Sequence, residues 1–427
     1  MELKHSKYNI TVSNQDYYLI FNTATSACVV FNANEYNDFI STNFKAVSIK
    51  RLQELGILLP SDFDEVKEFL TFAERKRNAT DTLFYRILVT TYCNAHCEYC
   101  YEKNFAQITM TRPTSIKVVE FIKKEANNKR SVVIQWFGGE PLLNITEIDF
   151  ICKQLKNYCD QHGKSFKSAI VTNGLLFFKE DIRGGLKTWN IDRVQITLDG
   201  LKHYYESVKK YSIANSFEII LSNIKFLIGN NIKVSIRLNY SEQNIHEIVD
   251  LIKFLNNEFP NKTNLYVYAQ QLFNEKTSLN DNINLGLTIS VLDILYENGF
   301  LDNVFNRLGV SFGCFASKED NFTIMPDGSL YKCSLEATLK RDNKNHISNL
   351  SRSSLQFFTL SQRCIPCKFL PLCYGGCSFE KHKGNNYCLI SEDMVLHLLG
   401  IALRSYTETN IFAEPCRRPA GLYRAAA

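Results

Sequence analysis

No uninterrupted apolar run in this sequence approaches the roughly 18 residues that a membrane helix needs, so no membrane span is expected. The opening residues, Met1-Glu2-Leu3-Lys4-His5-Ser6-Lys7, have no apolar core behind them, so no signal peptide is expected. No basic run dominates and the formal charge is only +5, which does not indicate nucleic-acid binding. These absences predict a soluble, cytoplasmic protein with neither membrane nor nucleic acid as partner. What is present is a chain of 427 residues, 45% of them hydrophobic. That is enough for a sizeable core and roughly two to four domains. Fourteen cysteines stand out. A secreted disulfide framework goes with a short chain and a signal peptide, so in a reducing cytoplasm clustered cysteines read as metal ligands. Cys28, Cys152 and Cys159 fit no ligand spacing and read as ordinary core or helix-face residues.

The first cluster is Thr90-Thr91-Tyr92-Cys93-Asn94-Ala95-His96-Cys97-Glu98-Tyr99-Cys100-Tyr101. Three thiolates on one short loop can hold a single metal centre. A 4Fe–4S cluster normally takes four thiolates, one per iron, so three leave one iron free for a small molecule. Zinc is the rival: a closed structural zinc site wants a fourth Cys or His, and His96 inside the loop keeps that reading open.

From residue 83 strand and helix patterns alternate. Strands are expected at Leu83–Val89, Val132–Phe137, Ser168–Thr172, Arg193–Leu198, Lys233–Leu238 and Leu265–Val267, with helices near 114–127, 146–161, 180–188, 216–229 and 244–258. Six β/α units predict an α/β fold, a parallel sheet curled by right-handed crossovers into a partial, TIM-like (β/α)6 barrel. Chemistry in such barrels sits at the C-terminal strand ends, and every candidate motif follows a strand. The cysteine loop follows the first. Gly138-Gly139-Glu140-Pro141 follows the second, where two glycines let backbone approach a ligand and Glu140 offers an anion to an ammonium group. Thr172-Asn173-Gly174 follows the third and Thr197-Leu198-Asp199-Gly200 the fourth; loop capping by Asn and Asp is the plainer role for both.

Cys-x-x-x-Cys-x-aromatic-Cys followed by these motifs resembles the radical S-adenosylmethionine (SAM) enzymes. The resemblance implies that the open iron is chelated by SAM and that reductive cleavage gives a 5′-deoxyadenosyl radical, which abstracts hydrogen from a substrate. It implies that Gly138, Gly139 and Glu140 hold the SAM amino group, that Asn173, Thr197 (Ser in the family) and Asp199 contact ribose and carboxylate, and that Tyr99 stacks on adenine. Arg237, late in the fifth strand, would pair bidentately with the SAM carboxylate.

A second cysteine block follows a stretch, 160 to 313, that holds none. It reads Cys314-x13-Gly328-x4-Cys333, then Cys364-x2-Cys367-x5-Cys373-x3-Cys377, then Cys388, with a β-hairpin expected around Pro326-Asp327-Gly328-Ser329. Zinc ribbons also use Cys-x2-Cys pairs. The full spacing resembles the SPASM extension of radical SAM proteins. The resemblance implies two auxiliary 4Fe–4S clusters: Cys364, Cys367, Cys373 and Cys388 around one, Cys314, Cys333 and Cys377 around the other. The latter is one thiolate short, and its open iron would capture a substrate cysteine, unless Cys416 or a carboxylate fills the gap. Sulfatase-maturing relatives place a catalytic Asp directly after the Cys333 position. Ser334 stands there, a poor base by comparison.

Ahead of the barrel, strands are expected at Tyr8–Val12, Tyr17–Phe21 and Ala27–Phe31, then helices near 33–41, 48–56 and 62–77, with Asn32 or Asn34, Ser48 and Ser61 as N-caps. This resembles the winged-helix-like module that grips the leader of a precursor peptide; a plain packing cap is the alternative. The expected organisation is therefore 1–80 peptide recognition, 81–300 partial barrel, 301–400 auxiliary clusters and 401–427 disordered tail. The expected function is maturation of a ribosomally made peptide, by a thioether or carbon–carbon crosslink, with SAM, three 4Fe–4S clusters and a reductase, flavodoxin or ferredoxin as electron donor. Formylglycine-type protein modification and a non-catalytic iron–sulfur or zinc protein are the alternatives.

Overall fold

The computed structural model describes residues 2–41, 48–78, 81–272, 284–300, 314–339, 345–351, 360–382, 388 and 390–409. The chain forms two compact units. One comprises Met1–Ala79, Leu301–Cys314 and Phe358–Ala427, the other Thr80–Phe300 and Phe315–Phe357.

In the first unit, β1 (Leu3–His5) pairs antiparallel with β5 (Leu58–Pro60), and β2 (Asn9–Ser13), β3 (Tyr17–Asn22) and β4 (Cys28–Asn32) form an antiparallel sheet in that order. Helices α1 (Ala33–Ile40), α2 (Ile49–Glu54) and α3 (Glu65–Asn78) complete it. Asn32 caps α1 in a reciprocal box: its side chain accepts from Glu35 N at 3.0 Å, and Glu35 accepts from Asn32 N at 2.8 Å. Asn32→Ala is expected to cost about 1 kcal/mol, read as faster amide exchange across α1. Ser48 caps α2 as expected. Ser61 does not cap α3, which starts later; Asp64 accepts from Lys67 N instead. Both β1 and β5 are three residues long, too short for an alternating pattern to reveal them.

The C-terminal cysteine-rich segment belongs to this same unit. Tyr8, Phe69 and Phe72 share one core with Leu370 and Tyr374, and Cys364 and Cys367 pack against it. Lys7 Nζ donates to the Ile365 carbonyl at 3.1 Å and Thr23 Oγ1 to that of Lys368 at 2.6 Å. The expected 301–400 domain is thus divided. Its 315–357 part joins the barrel unit, because the hairpin strand β12 (Phe322–Ile324) hydrogen-bonds to the barrel's first strand. The expected tail also starts later: Glu392–Thr409 is one helix, with Val395, Leu398, Leu399, Ile401 and Leu403 buried, so 401–409 is ordered by its apolar face. Residues 410–427 lie outside the described residues.

The second unit is the expected barrel sheet. Strands β6 (Thr82–Thr90), β7 (Ser131–Gly138), β8 (Ser165–Thr172), β9 (Ile191–Leu198), β10 (Lys233–Tyr240) and β11 (Leu265–Gln271) run parallel in chain order. Beyond β6 lie β12, also parallel, and β13 (Leu330–Tyr331), antiparallel to β12. Between the strands run α4 (Arg112–Glu125), α5 (Ile145–Gln161), α6 (Glu180–Thr188), α7 (Lys202–Lys209), α8 (Ser216–Gly229) and α9 (Ile245–Glu258). Alternation sorts the strand side chains into two faces. Tyr85, Ile87, Ile134, Trp136, Val194, Ile196 and Ile236 are fully buried; Tyr85 stacks on Phe121 of α4, which marks this as the helix side. The opposite face is half-buried and carries Arg86, Gln135, Gln195, Thr197 and Arg237. Arg86 Nε donates to Gln135 Oε1 at 2.8 Å, and the Tyr268 hydroxyl to Gln195 Oε1 at 2.9 Å, so this concave face is polar.

Candidate active site

The cysteine loop begins at an irregularity. The β6–β7 register skips Val89, a bulge that re-aims the chain at the strand's end. The loop then closes on itself: Met110 N donates to the Val89 carbonyl, Thr91 N to that of Ile108, and Thr91 Oγ1 to that of Ala106. Asn144 Nδ2 clasps both the Val89 and Met110 carbonyls, at 3.0 and 3.1 Å. The segment from Tyr92 to Phe105 is therefore a fixed loop at the C-terminal end of β6, carrying Cys93, Cys97 and Cys100.

These thiols sense one another. Burial pushes the Cys93 thiol up to about 12, with Glu140, Cys97 and Cys100 adding to the rise. Burial also raises Cys100, followed by Glu102. Sulfurs that resist ionising among themselves suit a cationic iron group, whose binding would release their protons. Among the described residues no three His, Cys, Asp or Glu side chains converge as ligands of one ion do.

Gly138 and Gly139 lie against this loop without side chains because none fits. A Cβ on Gly138, at φ +116°, would stand 2.2 Å from the Thr90 oxygen; one on Gly139 would stand 2.3 Å from the Tyr92 oxygen. Next, Glu140 N donates to the Tyr92 carbonyl at 2.8 Å. The Glu140 carboxylate is fully buried and accepts from Leu142 N, Thr172 Oγ1 and Asn173 N at 2.8–3.0 Å. Burial nevertheless holds it up at about 7, since those donors only partly offset desolvation. A cation arriving here would complete its neutralisation.

Asn173 joins the third strand end to the loop, donating from Nδ2 to Asn94 Oδ1 at 2.6 Å while its own Oδ1 accepts from Leu175 N. Thr197 lies half-buried on the concave face. Asp199 is 1% exposed, and its carboxylate accepts from the Tyr99 hydroxyl at 2.8 Å and pairs with Lys209 Nζ at 2.9 Å. Asp199 therefore orients Tyr99, a role the sequence did not suggest. Arg237 donates from Nε to Asn239 Oδ1, and Asn239 Nδ2 donates on to the Tyr99 hydroxyl. Among the described residues the Arg237 guanidinium has no ion pair, which leaves its charge for an anion. Lys209 and Asn239 were missed by sequence reasoning, since they stand in no motif and only long-range contact brings them in. Asn94 and Thr172 stand inside motifs, but no role was read for either.

The Cys373 thiol is pushed up to about 11 by burial, and Cys367, Cys364 and Cys388 are the charges that add to it. Burial raises Cys377, with Cys314 among its neighbours. Cys333 stands in the barrel unit, ahead of a short 3-10 turn, Ser334–Leu339. The Ser334 hydroxyl accepts from Tyr101 at 3.3 Å and from Arg86 at 3.4 Å. Cys416 lies outside the described residues. Cys28, Cys152 and Cys159 are buried core residues, as expected. No helix among the described residues is long and apolar enough to cross a membrane.

Residues 87–255 match the family model described as the Radical SAM superfamily. The radical SAM cyclopropyl synthase TigE of Paramaledivibacter caminithermalis is 25% identical over 430 residues, covering 88% of this chain and 86% of that protein. GTP 3′,8-cyclase of Clostridium perfringens is 27% identical over 276 residues, covering 58% of this chain and 80% of its own. Of solved structures, Streptococcus suis SuiB bound to the precursor peptide SuiA has a TM-score of 0.52 at 15% identity, over 91% of this chain and 99% of that one. Native anSMEcpe with bound AdoMet and Cp18Cys peptide has a TM-score of 0.57 at 18% identity, over 76% and 98%. At such identities the two structures establish the fold.

Proposed function

We propose that this chain, which carries a radical SAM superfamily domain, is a radical SAM/SPASM enzyme that modifies a ribosomally made precursor peptide by forming a crosslink. One observation carries the reading: a fixed loop bearing Cys93, Cys97 and Cys100 is hemmed by Gly139, buried Glu140 and Asn173 at the C-terminal ends of three parallel strands. Bound there, a 4Fe–4S cluster and SAM would supply a 5′-deoxyadenosyl radical to take hydrogen from a peptide carbon. The chain's residues bind and orient. Glu140 faces the SAM ammonium and Arg237 its carboxylate. Tyr99, held through its hydroxyl by Asp199, offers its ring to the adenine, and Thr197 and Asn173 serve ribose and carboxylate.

Peptide complexes of SuiB and anSMEcpe support a peptide substrate. A carbon–carbon bond is favoured over a thioether, because the relative spanning most of this chain is a cyclopropyl synthase. Ser334 weighs against the sulfatase-maturation type, which wants a carboxylate base there. Among the described residues β4 pairs only with β3, and its outer edge is where a leader strand would add. Cys364, Cys367, Cys373 and Cys388 would hold one auxiliary cluster and Cys314, Cys333 and Cys377 the other. A cytoplasmic reductase, flavodoxin or ferredoxin would supply the electron.

Anaerobic reconstitution tests the reading. The loaded protein is expected to hold about a dozen irons and to release 5′-deoxyadenosine from SAM under dithionite. Loaded protein that never releases it overturns the reading. Co-expression with a short neighbouring open reading frame is expected to give a peptide lighter by two hydrogens per crosslink.

A further inference from the structure

Lys209, the last residue of α7, is a buried cation against the cysteine loop, and the roles assigned above make no use of it. Its side chain is 5% exposed. Its ammonium donates to the Tyr99 hydroxyl at 2.7 Å and sits 2.9 Å from Asp199 Oδ2, over the faces of Tyr99 and Tyr205. Its backbone carbonyl accepts from His96 N at 2.8 Å. Lys209 thus grips the loop on both sides of Cys97. The adjoining Lys210 reaches Glu98 with Nζ, at 2.5 Å. The ammonium therefore touches the loop directly, at Tyr99, between the positions of Cys97 and Cys100. Burying an ion pair is expensive, and apolar residues of similar volume would lock a loop as well. A fixed charge is needed where the loop's own charge changes.

We infer that Lys209 is the counter-charge of the cysteine loop, easing one-electron reduction of the iron–sulfur group held by Cys93, Cys97 and Cys100. The inference rests on reading that loop as an iron–sulfur site. Reduction by an external donor adds one negative charge to the group and breaks no bond. A buried cation stabilises the reduced form more than the oxidised form, and its burial limits screening by water.

The test compares reconstituted wild type, Lys209→Met, Lys209→Arg and the double variant Asp199→Asn/Lys209→Met, which leaves no orphaned acid if the single change misfolds. EPR-monitored potentiometry follows the signal that SAM perturbs, which identifies the loop's cluster. The Met variants are expected to lower the ratio of reduced to oxidised cluster at fixed potential by about tenfold, a negative shift of about 59 mV for one electron; Lys209→Arg stays near wild type. Their deficit in 5′-deoxyadenosine formation shrinks when titanium(III) citrate replaces a weaker reductant, a rescue that a merely structural role would not give. A wild-type midpoint in the double variant overturns the inference while the wild-type signal leaves the iron–sulfur reading standing. A wild type with no SAM-sensitive signal overturns both.

Discussion

Gly139→Ala is expected to lower SAM cleavage by about 10²-fold or more, with the iron content of the reconstituted protein measured alongside. The added methyl would stand 2.3 Å from the Tyr92 oxygen and 2.6 Å from that of Thr91, both backbone atoms at the root of the cysteine loop. No rotamer relieves a backbone clash, so either the loop or the end of β7 must move. The loop is also fixed from behind by the Thr91–Ala106 and Asn144–Val89 hydrogen bonds, and Glu140 N is bound to the Tyr92 carbonyl. Displacement therefore passes to Cys93 and Glu140 together, the groups read as holding metal and ammonium. Gly174→Ala serves as a contrast: its neighbour is the Ile196 side chain at 2.9 Å, and its φ of +83° strains any side chain. It should destabilise the protein while leaving the cysteine loop in place. Equal SAM cleavage in Gly139→Ala and wild type would exclude the placement of the cofactor at this turn.

Glu140→Gln is expected to weaken SAM binding about 10- to 100-fold at pH 8, the worth of a charge-assisted hydrogen bond lost in a buried site, and to flatten its pH dependence. In the folded protein burial holds the carboxyl at about 7, above its ordinary 4.5. Below 4.5 the group is neutral whether folded or unfolded, and its contribution to stability is fully present. Between 4.5 and 7 the unfolded chain has given up the proton and the folded one has not, so stability falls as pH rises. Spread over that interval the loss is about 3 kcal/mol for this fully buried group. A bound ammonium reverses the balance, because it favours the charged form. SAM affinity should therefore rise through pH 7 in the wild type, and SAM should protect most at the alkaline end of that window. Thermal melts from pH 5 to 8, with and without SAM, read both effects. A wild-type profile in Glu140→Gln would remove Glu140 from the ammonium site.

The six barrel strands were legible because each carries a run of β-branched and apolar residues bounded by turn chemistry, and because each motif sits at a strand's end. Asn32 and Ser48 were legible as caps, since a short polar side chain ahead of an apolar period is a local signal. What stayed hidden was non-local. Nothing in Phe322–Ile324 says that it pairs with β6, more than two hundred residues earlier. Nothing in Cys364-Ile365-Pro366-Cys367 says that it packs against Tyr8. The cysteines of the candidate site stand out in the sequence by their spacing together with the motifs at the following strand ends, whereas Lys209 does not. It ends a short helix, α7, dense in Tyr and Lys with no clean period, and its importance lies in three partners from two other segments, the cysteine loop and the end of β9. Asp199 is the converse case: its motif was recognised, but its partners, Lys209 and the Tyr99 hydroxyl, were not.

The shared core of Tyr8, Phe69, Leu370 and Tyr374 bears on how this chain is made. A ribosome delivers Tyr8 first and Tyr374 only after the whole barrel has emerged. Until then the opening segment waits with part of its apolar surface uncovered, a period in which chaperone capture or proteolysis competes with closure. The cysteines from Cys364 onward reach their partners only at that late step. Any iron taken up by this unit, as proposed above, would accordingly reach only finished chains, whereas the loop at Cys93 would be open to loading while synthesis continues.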